Sequence, residues 1–292
     1  MTQPVFRFAP SPNGRLHLGH AFSALENARL AARFGGRLLL RIEDIDTTRC
    51  REDLVAAMID DLAWLGLPFE PEPLRQSLRF PLYEAAADRL RGMGLLYPCI
   101  CSRKEIAAAV AAREAESGRP SPRDPDGAPL YPGTCRARDP AAVLSEAARE
   151  GLPIAWRLDM ARALAAVPGP FVYERFAQGG EAEPVHADPA RWGDAVIVRK
   201  EIPTSYHLAV VVDDAAQGVT HVVRGQDLEA ATDLHVLLQR CLDLPTPLYL
   251  HHGLVRDEAG EKLAKSLGSK PLAELRAAGW TPADVRAALY AR

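Results

Sequence analysis

No apolar run in this chain approaches the roughly 20 residues that a membrane-spanning helix needs, so no helical membrane anchor is expected. The first residues, MTQPVFRFAP, lack the basic start, apolar stretch and small-residue cleavage site of a secretory signal, and the expected location is cytoplasmic. A large charge excess is also missing. The net charge is −3 over 292 residues, which argues against broad, non-specific nucleic-acid binding but leaves room for a local basic groove. Cysteine is scarce and odd in number, five in all, so free thiols or metal ligands are expected rather than a disulfide framework. Repeats at solenoid periods are absent. What remains is ordinary globular composition, in a chain long enough for one large domain or two smaller ones.

VFRFA (5–9) has the composition of a short strand, and from Leu18 to Phe34 the apolar residues recur at helical spacing, with Gly35-Gly36 as a stop. RLLLRIED (37–44) is near-continuously apolar, as a strand inside a parallel sheet should be. Helices are expected from about Arg51 to Leu65 and from Pro81 to Arg91. Strand, helix, strand, helix at this spacing is a βαβ unit, and a doubly wound α/β sheet follows. The character changes near Tyr97: a Pro-, Gly- and Asp-rich loop occupies 116–133, with short strand candidates at 154–160, 171–176 and 195–201. This reads as an insertion over 97–195 between two catalytic segments, 1–96 and 196–268. YHLAVVVDD (206–214) is expected as a buried strand, VTHVVRGQDL (219–228) as another, and a helix then runs to about Leu242. A hairpin-like segment turns at Asp257 to Gly260, and short helices fill 269–292.

FAPSPNGRLHLGH (8–20) carries the first chemistry. Pro10 and Pro12 fix one stiff path out of the sheet, and Gly14 and Gly19 allow close backbone approach. His17 and His20, three apart at a helix start, project toward the free N–H groups and positive end of that helix, a ready phosphate site. The plain reading is packing or surface; zinc lacks a third ligand at usable spacing. EKLAKSLG (261–268) is the second feature, a small cationic loop whose lysines suit charge developing on a phosphoryl group, or a simple solvated turn. Cys99-x-Cys101 and Cys135 could supply three thiolates to zinc or be small buried apolar side chains. The residues leave the fourth ligand open among Tyr131, His186 and water. Cys50 and Cys241 read as ordinary thiols.

HLGH after the first strand and KLAKS after the last resemble the paired signatures of class I aminoacyl-tRNA synthetases, in the same order. RFAPSPNGRLHLGH (7–20), LLLRIEDIDTTR (38–49), YHLAVVVDD and HVVRGQDL (221–228) are similar to blocks of the glutamyl group of that family. The resemblance covers most of the chain outside 105–195. It implies a Rossmann-type parallel-sheet catalytic domain, an inserted zinc-containing acceptor-type subdomain, and a short C-terminal helical tail. It also implies that Arg7, Phe8, Ala9, Pro10 and Ser11 contact the amino acid, that Glu43 meets its ammonium, and that Tyr206 and Arg224 bind glutamate. Without it, Glu43 would be an ion pair with Arg41 or Arg49, Tyr206 a core aromatic and Arg224 a surface charge. His17, Gly19 and His20 would hold ATP, with Mg2+. Lys262 and Lys265 would be catalytic, Lys265 at the α-phosphate, although Ala264 stands where the signature often has serine. Cys99, Cys101, Tyr131 and Cys135 would bind a structural zinc.

Only 24 residues follow Gly268, and full glutamyl enzymes continue into anticodon-reading domains. The layout resembles the branch of the family that transfers glutamate to the queuosine base of the tRNA(Asp) anticodon. The expected enzyme is a monomer acting on glutamate, ATP and queuosine-bearing tRNA(Asp). Alternatives are a truncated synthetase charging a tRNA 3′ end, an inactive tRNA-binding paralogue, and a nucleotidyltransferase of the wider HxGH group.

Overall fold

The computed structural model describes residues 3–255 and 270–290. Strand β1 (Val5–Phe8) is buried along its length and leads into helix α1 (Leu18–Arg33). The chain returns in β2 (Arg37–Ile42), parallel to β1 with Phe6 opposite Leu38. The break between them is Gly35, at φ 61°, and Gly36, where a Cβ would stand 2.8 Å from the Pro4 carbonyl oxygen. Helix α2 (Glu52–Trp64), the two-residue β3 (Leu74–Arg75) and α3 (Phe80–Gly92) complete the first half. Each of these matches the sequence expectation to within two residues, except β3, which the sequence reading did not foresee.

The middle of the chain holds β4 (Leu96–Cys99), α4 (Arg103–Ser117), α5 (Pro140–Glu150), β5 (Ala155–Leu158) and α6 (Met160–Ala166). A hairpin of β6 (Val172–Phe176) and β7 (Ala182–His186) and the short β8 (Val196–Val198) follow. Then come α7 (Tyr206–Ala216), β9 (His221–Gly225), α8 (Ala231–Cys241) and β10 (Leu248–His252). Helices α9 (Leu272–Ala277) and α10 (Pro282–Tyr290) end the described chain. No helix among the described residues is long and apolar enough to cross a membrane.

Two sheets organise these elements. The larger runs β3-β2-β1-β9-β10-β6-β7, parallel throughout except for the β6–β7 hairpin at its edge. The smaller is an antiparallel β4-β5-β8. Residues 97–195 therefore serve both: β6 and β7 extend the main sheet, while β4 and β5 build the small one. Strand order reverses direction between β1 and β9, because β2 lies on one side of β1 and the later strands on the other. In open α/β sheets, ligands bind beyond the strand C-termini at such a switch.

One expectation is overturned. YHLAVVVDD is not a strand but helix α7, capped by Ser205, whose Oγ accepts from the Leu208 N–H. A short apolar run bounded by polar residues has no decisive period, and the valines here pack on all sides of a helix buried between α3 and α8. The change of element matters for chemistry, since α7 sends Asp214 toward the β1–β2 face and Asp213 toward α3. The C-terminal helices are not an appendage: Leu272, Leu275, Val285 and Leu289 are buried in one cluster with Phe8, Leu16 and Leu40. The expected turn at Asp257 to Gly260 lies outside the described residues.

Candidate active site

A cavity of about 290 Å³ opens at the switch point, beyond the C-terminal ends of β1, β2, β9 and β10. Arg7, Phe8, Ala9, Pro10, Ser11, His17, Gly19, His20, Glu43, Tyr206 and Arg224 all line it. These positions come from five elements as much as 217 residues apart in sequence, brought together by the crossover topology. Lys262 and Lys265 lie outside the described residues. Ser23, Asp227 and His252 also line the cavity and were not singled out in the sequence.

The histidines are built into the start of α1. His17 is the N-cap, its Nδ1 accepting from the Gly19 N–H at 3.1 Å, and the His20 Nδ1 accepts from the His17 backbone N–H at 3.2 Å. This is a capping box with imidazoles in the usual hydroxyl and carboxylate roles. The two rings lie with centroids 4.0 Å apart. Because both Nδ1 atoms accept, each ring carries its proton on Nε2, as a donor suited to phosphate oxygens. Burial, reinforced by His17, brings the His20 pKa down to about 4, so it is neutral at physiological pH. Gly19 gives the capping ring room, since a Cβ there would crowd the His17 Cε1 at 3.0 Å.

Beneath the cavity lies a buried charge cluster. Arg41, fully buried, donates to Asp214 at 2.6 Å and to Glu43 at 3.0 Å, and the Arg7 Nε donates to the same Asp214 oxygen at 3.1 Å. The Glu43–Arg41 ion pair offered as a plain alternative is thus real, while Glu43 also faces the cavity. Burial raises the Glu43 pKa and outweighs the opposing pull of Arg41 and Arg7. For Asp214 burial also acts upward, but the two guanidiniums prevail and hold it below the ordinary carboxylate range.

Arg224 differs from its neighbours in its partners. It is 4% exposed, which corrects the alternative of a surface charge. Its Nε donates to the His251 Nε2, Nη1 to the Tyr206 hydroxyl at 3.2 Å and toward the His235 Nδ1, and Nη2 to the Thr232 Oγ1 at 2.8 Å. Among the described residues it has no carboxylate partner. The histidines around it are neutral: burial and the Arg224 charge bring His251 to about 3 and hold His235 well below its ordinary value. A buried cation held only by neutral acceptors is poised for an anion from outside.

A second group sits at the small sheet. The Cys99, Cys101 and Cys135 sulfurs lie within 4.8 Å of one another. The Tyr131 hydroxyl stands 3.4 Å from both Cys99 and Cys101 and accepts from the Cys135 N–H at 2.9 Å. Around a tetrahedral zinc, bond lengths of roughly 2.3 Å to sulfur and 2.0 Å to oxygen put neighbouring ligand atoms about 3.5–3.8 Å apart. The donor set fits that spacing. His186, the rival fourth ligand, lies on β7 in the other sheet. The Arg157 guanidinium, 3.8 Å from the Tyr131 ring centroid, offsets negative charge gathered here. Cys241 is buried and Cys50 half-buried near Ser11.

The family model of the class I tRNA synthetases (E and Q), catalytic domain, matches residues 4–160 and 176–289. The chain belongs to this family. With that membership it is a ligase of the aminoacyl-tRNA synthetase type. It is 48% identical over 287 residues to the glutamyl-Q tRNA(Asp) synthetase of Rhodobacter capsulatus, covering 97% of this chain and 98% of that one. To glutamate–tRNA ligase 2 of Methylobacterium sp. it is 40% identical over 282 residues, spanning 58% of that protein's length. In three dimensions it is similar to the glutamate-tRNA synthetase of Elizabethkingia anophelis, with TM-score 0.70 and 27% identity over 89% of this chain and 52% of that one. This class I synthetase core therefore spans just over half of the two glutamate-tRNA enzymes and nearly the whole of the Rhodobacter protein.

Besides Ser23, Asp227 and His252, the sequence left unassigned several residues that act through others: Asp214, Thr232, His235 and His251, with Arg41 named only as a plain partner of Glu43. Asp214 ended the quoted VVVDD run, and Arg41 sat inside the second strand, where a charge amid apolar residues signals a buried partner. Nothing in the local sequence marks Thr232 or His235.

Proposed function

We propose that this ligase activates glutamate with ATP and transfers it to the queuosine base in the anticodon of tRNA(Asp). The likeness to the Rhodobacter glutamyl-Q enzyme over almost the full length of both chains is the observation that supports the acceptor most directly. Arg224 supports the amino acid: a buried guanidinium with no carboxylate partner among the described residues suits a substrate carboxylate, with the Tyr206 hydroxyl beside it. Glu43 takes the α-ammonium, a cation that favours the carboxylate against the upward push of burial.

In the first step an oxygen of the glutamate α-carboxylate attacks the α-phosphorus, the bond to the bridging oxygen breaks, and pyrophosphate leaves; Mg2+ accompanying ATP would offset charge on the phosphates. The His17 and His20 Nε2–H groups and the N-terminus of α1 hold phosphate oxygens. Lys262 and Lys265 would meet the charge developing at the α-phosphate. In the second step a hydroxyl of the modified base attacks the activated carbonyl carbon and loses its proton, and AMP departs. The protein acts as a monomer in this scheme.

Pure protein is expected to catalyse glutamate-dependent exchange of pyrophosphate into ATP. Its absence would favour a paralogue that only binds tRNA. The likeness to glutamate–tRNA ligase 2 keeps a 3′-end acceptor as the second reading. Labelled glutamate that leaves the tRNA when the terminal adenosine is removed would establish that reading instead.

Cys99, Cys101, Tyr131 and Cys135 would hold a structural zinc, which closes the 118–139 loop onto the small sheet in place of a core it lacks. Metal analysis of purified protein should find about one zinc per chain. Cys101→Ser should lose it and melt at lower temperature. Zinc-free protein from zinc-replete cells, with unchanged melting in the variant, would contradict this assignment.

A further inference from the structure

Arg224 lines the cavity while nearly fully buried, and the arrangement around it has a regularity that substrate binding alone does not demand. All four of its acceptors are neutral. Thr232, fully buried in the first turn of α8, accepts from the Arg224 Nη2 at 2.8 Å and lies 3.1 Å from the His251 Nε2, to which its own hydroxyl proton can go. The His251 Nε2 then accepts from both Thr232 and the Arg224 Nε. On the other side the His235 Nδ1 faces the Arg224 Nη1, and its Nε2 lies 3.2 Å from the His207 Nδ1. The guanidinium fixes these tautomers: each nitrogen facing it must be an acceptor, so His235 carries its proton on Nε2 and passes a hydrogen bond to His207. Among the described residues, the carboxylates on the neighbouring elements pair elsewhere: Asp214 with Arg7 and Arg41, Glu43 with Arg41, Asp213 with Arg79, Gln76 and Tyr83, and Asp233 with Arg191.

We infer that Thr232, His235 and His251 are positioning residues that select an acid over its amide, because they hold Arg224 in place while leaving its charge unneutralised. The inference rests on the proposed reading that Arg224 takes a glutamate carboxylate. The α-carboxylate must sit near His17 and His20, where the phosphates come, so the carboxylate reaching the buried Arg224 is that of the side chain. Glutamine offers the same shape with no charge. Against a guanidinium whose charge is already balanced, acid and amide would differ little. Against one cradled by neutral acceptors, the acid gains a charge-assisted pair in a site of low dielectric. Selectivity is therefore set by what the cradle lacks.

The test separates charge from shape. Thr232→Asp places a carboxylate on the Arg224 Nη2, whereas Thr232→Asn keeps an acceptor for Arg224 and a donor for His251 without charge. Equilibrium binding of glutamate and of glutamine is measured by calorimetry, with ATP binding and thermal melting as checks on the fold. Thr232→Asp is expected to weaken glutamate by about 50-fold or more while moving glutamine by less than about fivefold, and Thr232→Asn to leave the ratio within about fivefold of wild type. His251→Glu and His251→Gln form a second pair at a half-buried position, should the buried substitution prevent folding, with the same expected contrast. Equal loss of both ligands in the charged variants, or a neutral variant as defective as its charged partner, would show the cradle to be structural only and overturn the inference. If wild-type protein binds glutamate no better than glutamine, the underlying reading of Arg224 fails first.

Discussion

Arg224→Gln is expected to raise the KM for glutamate in pyrophosphate exchange by about 100-fold or more, with the KM for ATP nearly unchanged. Removing one partner of a buried, hydrogen-bonded charge pair costs about 2–5 kcal/mol, and each 1.4 kcal/mol is roughly tenfold in affinity. The same substitution should not unfold the protein. Arg224 is buried among Tyr206, Thr232, His235 and His251, none of them charged, so it is a desolvated cation with no counter-ion among the described residues. Replacing it by a neutral side chain that can still hydrogen-bond should leave the melting temperature unchanged or raise it. Activity and stability are thus expected to move in opposite directions. A variant that loses both together would mean that Arg224 is a structural residue and that the glutamate carboxylate is held elsewhere.

Asp214→Asn should do the reverse and act on stability first. Asp214 is 3% exposed and accepts from two buried guanidiniums, Arg7 at 3.1 Å and Arg41 at 2.6 Å. Among the described residues Arg41 would keep Glu43 as its only paired carboxylate, with the neutral Gln217 Oε1 beside it, and Arg7 would lose its carboxylate. Breaking a buried pair by removing one partner costs about 3–5 kcal/mol, which for a chain of this size lowers the melting temperature by roughly 10 °C. The pH dependence has a fixed sign. The folded state holds Asp214 below its ordinary pKa of 3.8, so its contribution is fully present above that value and disappears as pH falls through the lower folded pKa. The gap in stability between wild type and Asp214→Asn should be constant near neutrality and close in acid below 3.8. A gap that stays constant down to unfolding would contradict the assigned role.

How much of this was legible before the structure depends on the range of each interaction. The first βαβ unit was readable because its signals are local: apolar spacing over Leu18 to Phe34, a glycine stop, and a continuous apolar strand. The cavity wall from Arg7 to His20 was readable for the same reason, since turn chemistry and the paired histidines lie within one stretch. The insertion was visible as a change of composition, but not that β6 and β7 would join the main sheet, because pairing with β10 across some 75 residues leaves no local trace. The segment 206–214 was misread since a valine-rich run of nine residues suits a buried strand and a buried helix equally. Its helical form is what turns Asp214 onto Arg7 and Arg41. The cradle of Arg224 was invisible for a related reason. It draws Tyr206 from α7, Thr232 and His235 from α8 and His251 from β10; Tyr206 carried a resemblance, but Thr232, His235 and His251 taken singly are unremarked polar residues in packed elements. Lys262 and Lys265 were the clearest mark in the sequence after HLGH, and they lie outside the described residues.

The central claim is that glutamate passes to a modified base and not to the 3′ end of a tRNA. The measurement that bears on it most directly is transfer of labelled glutamate, with ATP, to two preparations of tRNA(Asp), one carrying queuosine and one with unmodified guanosine in its place. The account predicts label on the queuosine-bearing tRNA alone, and label that persists after the 3′-terminal adenosine is removed. Equal incorporation into both preparations, or label lost with the terminal adenosine, would contradict it.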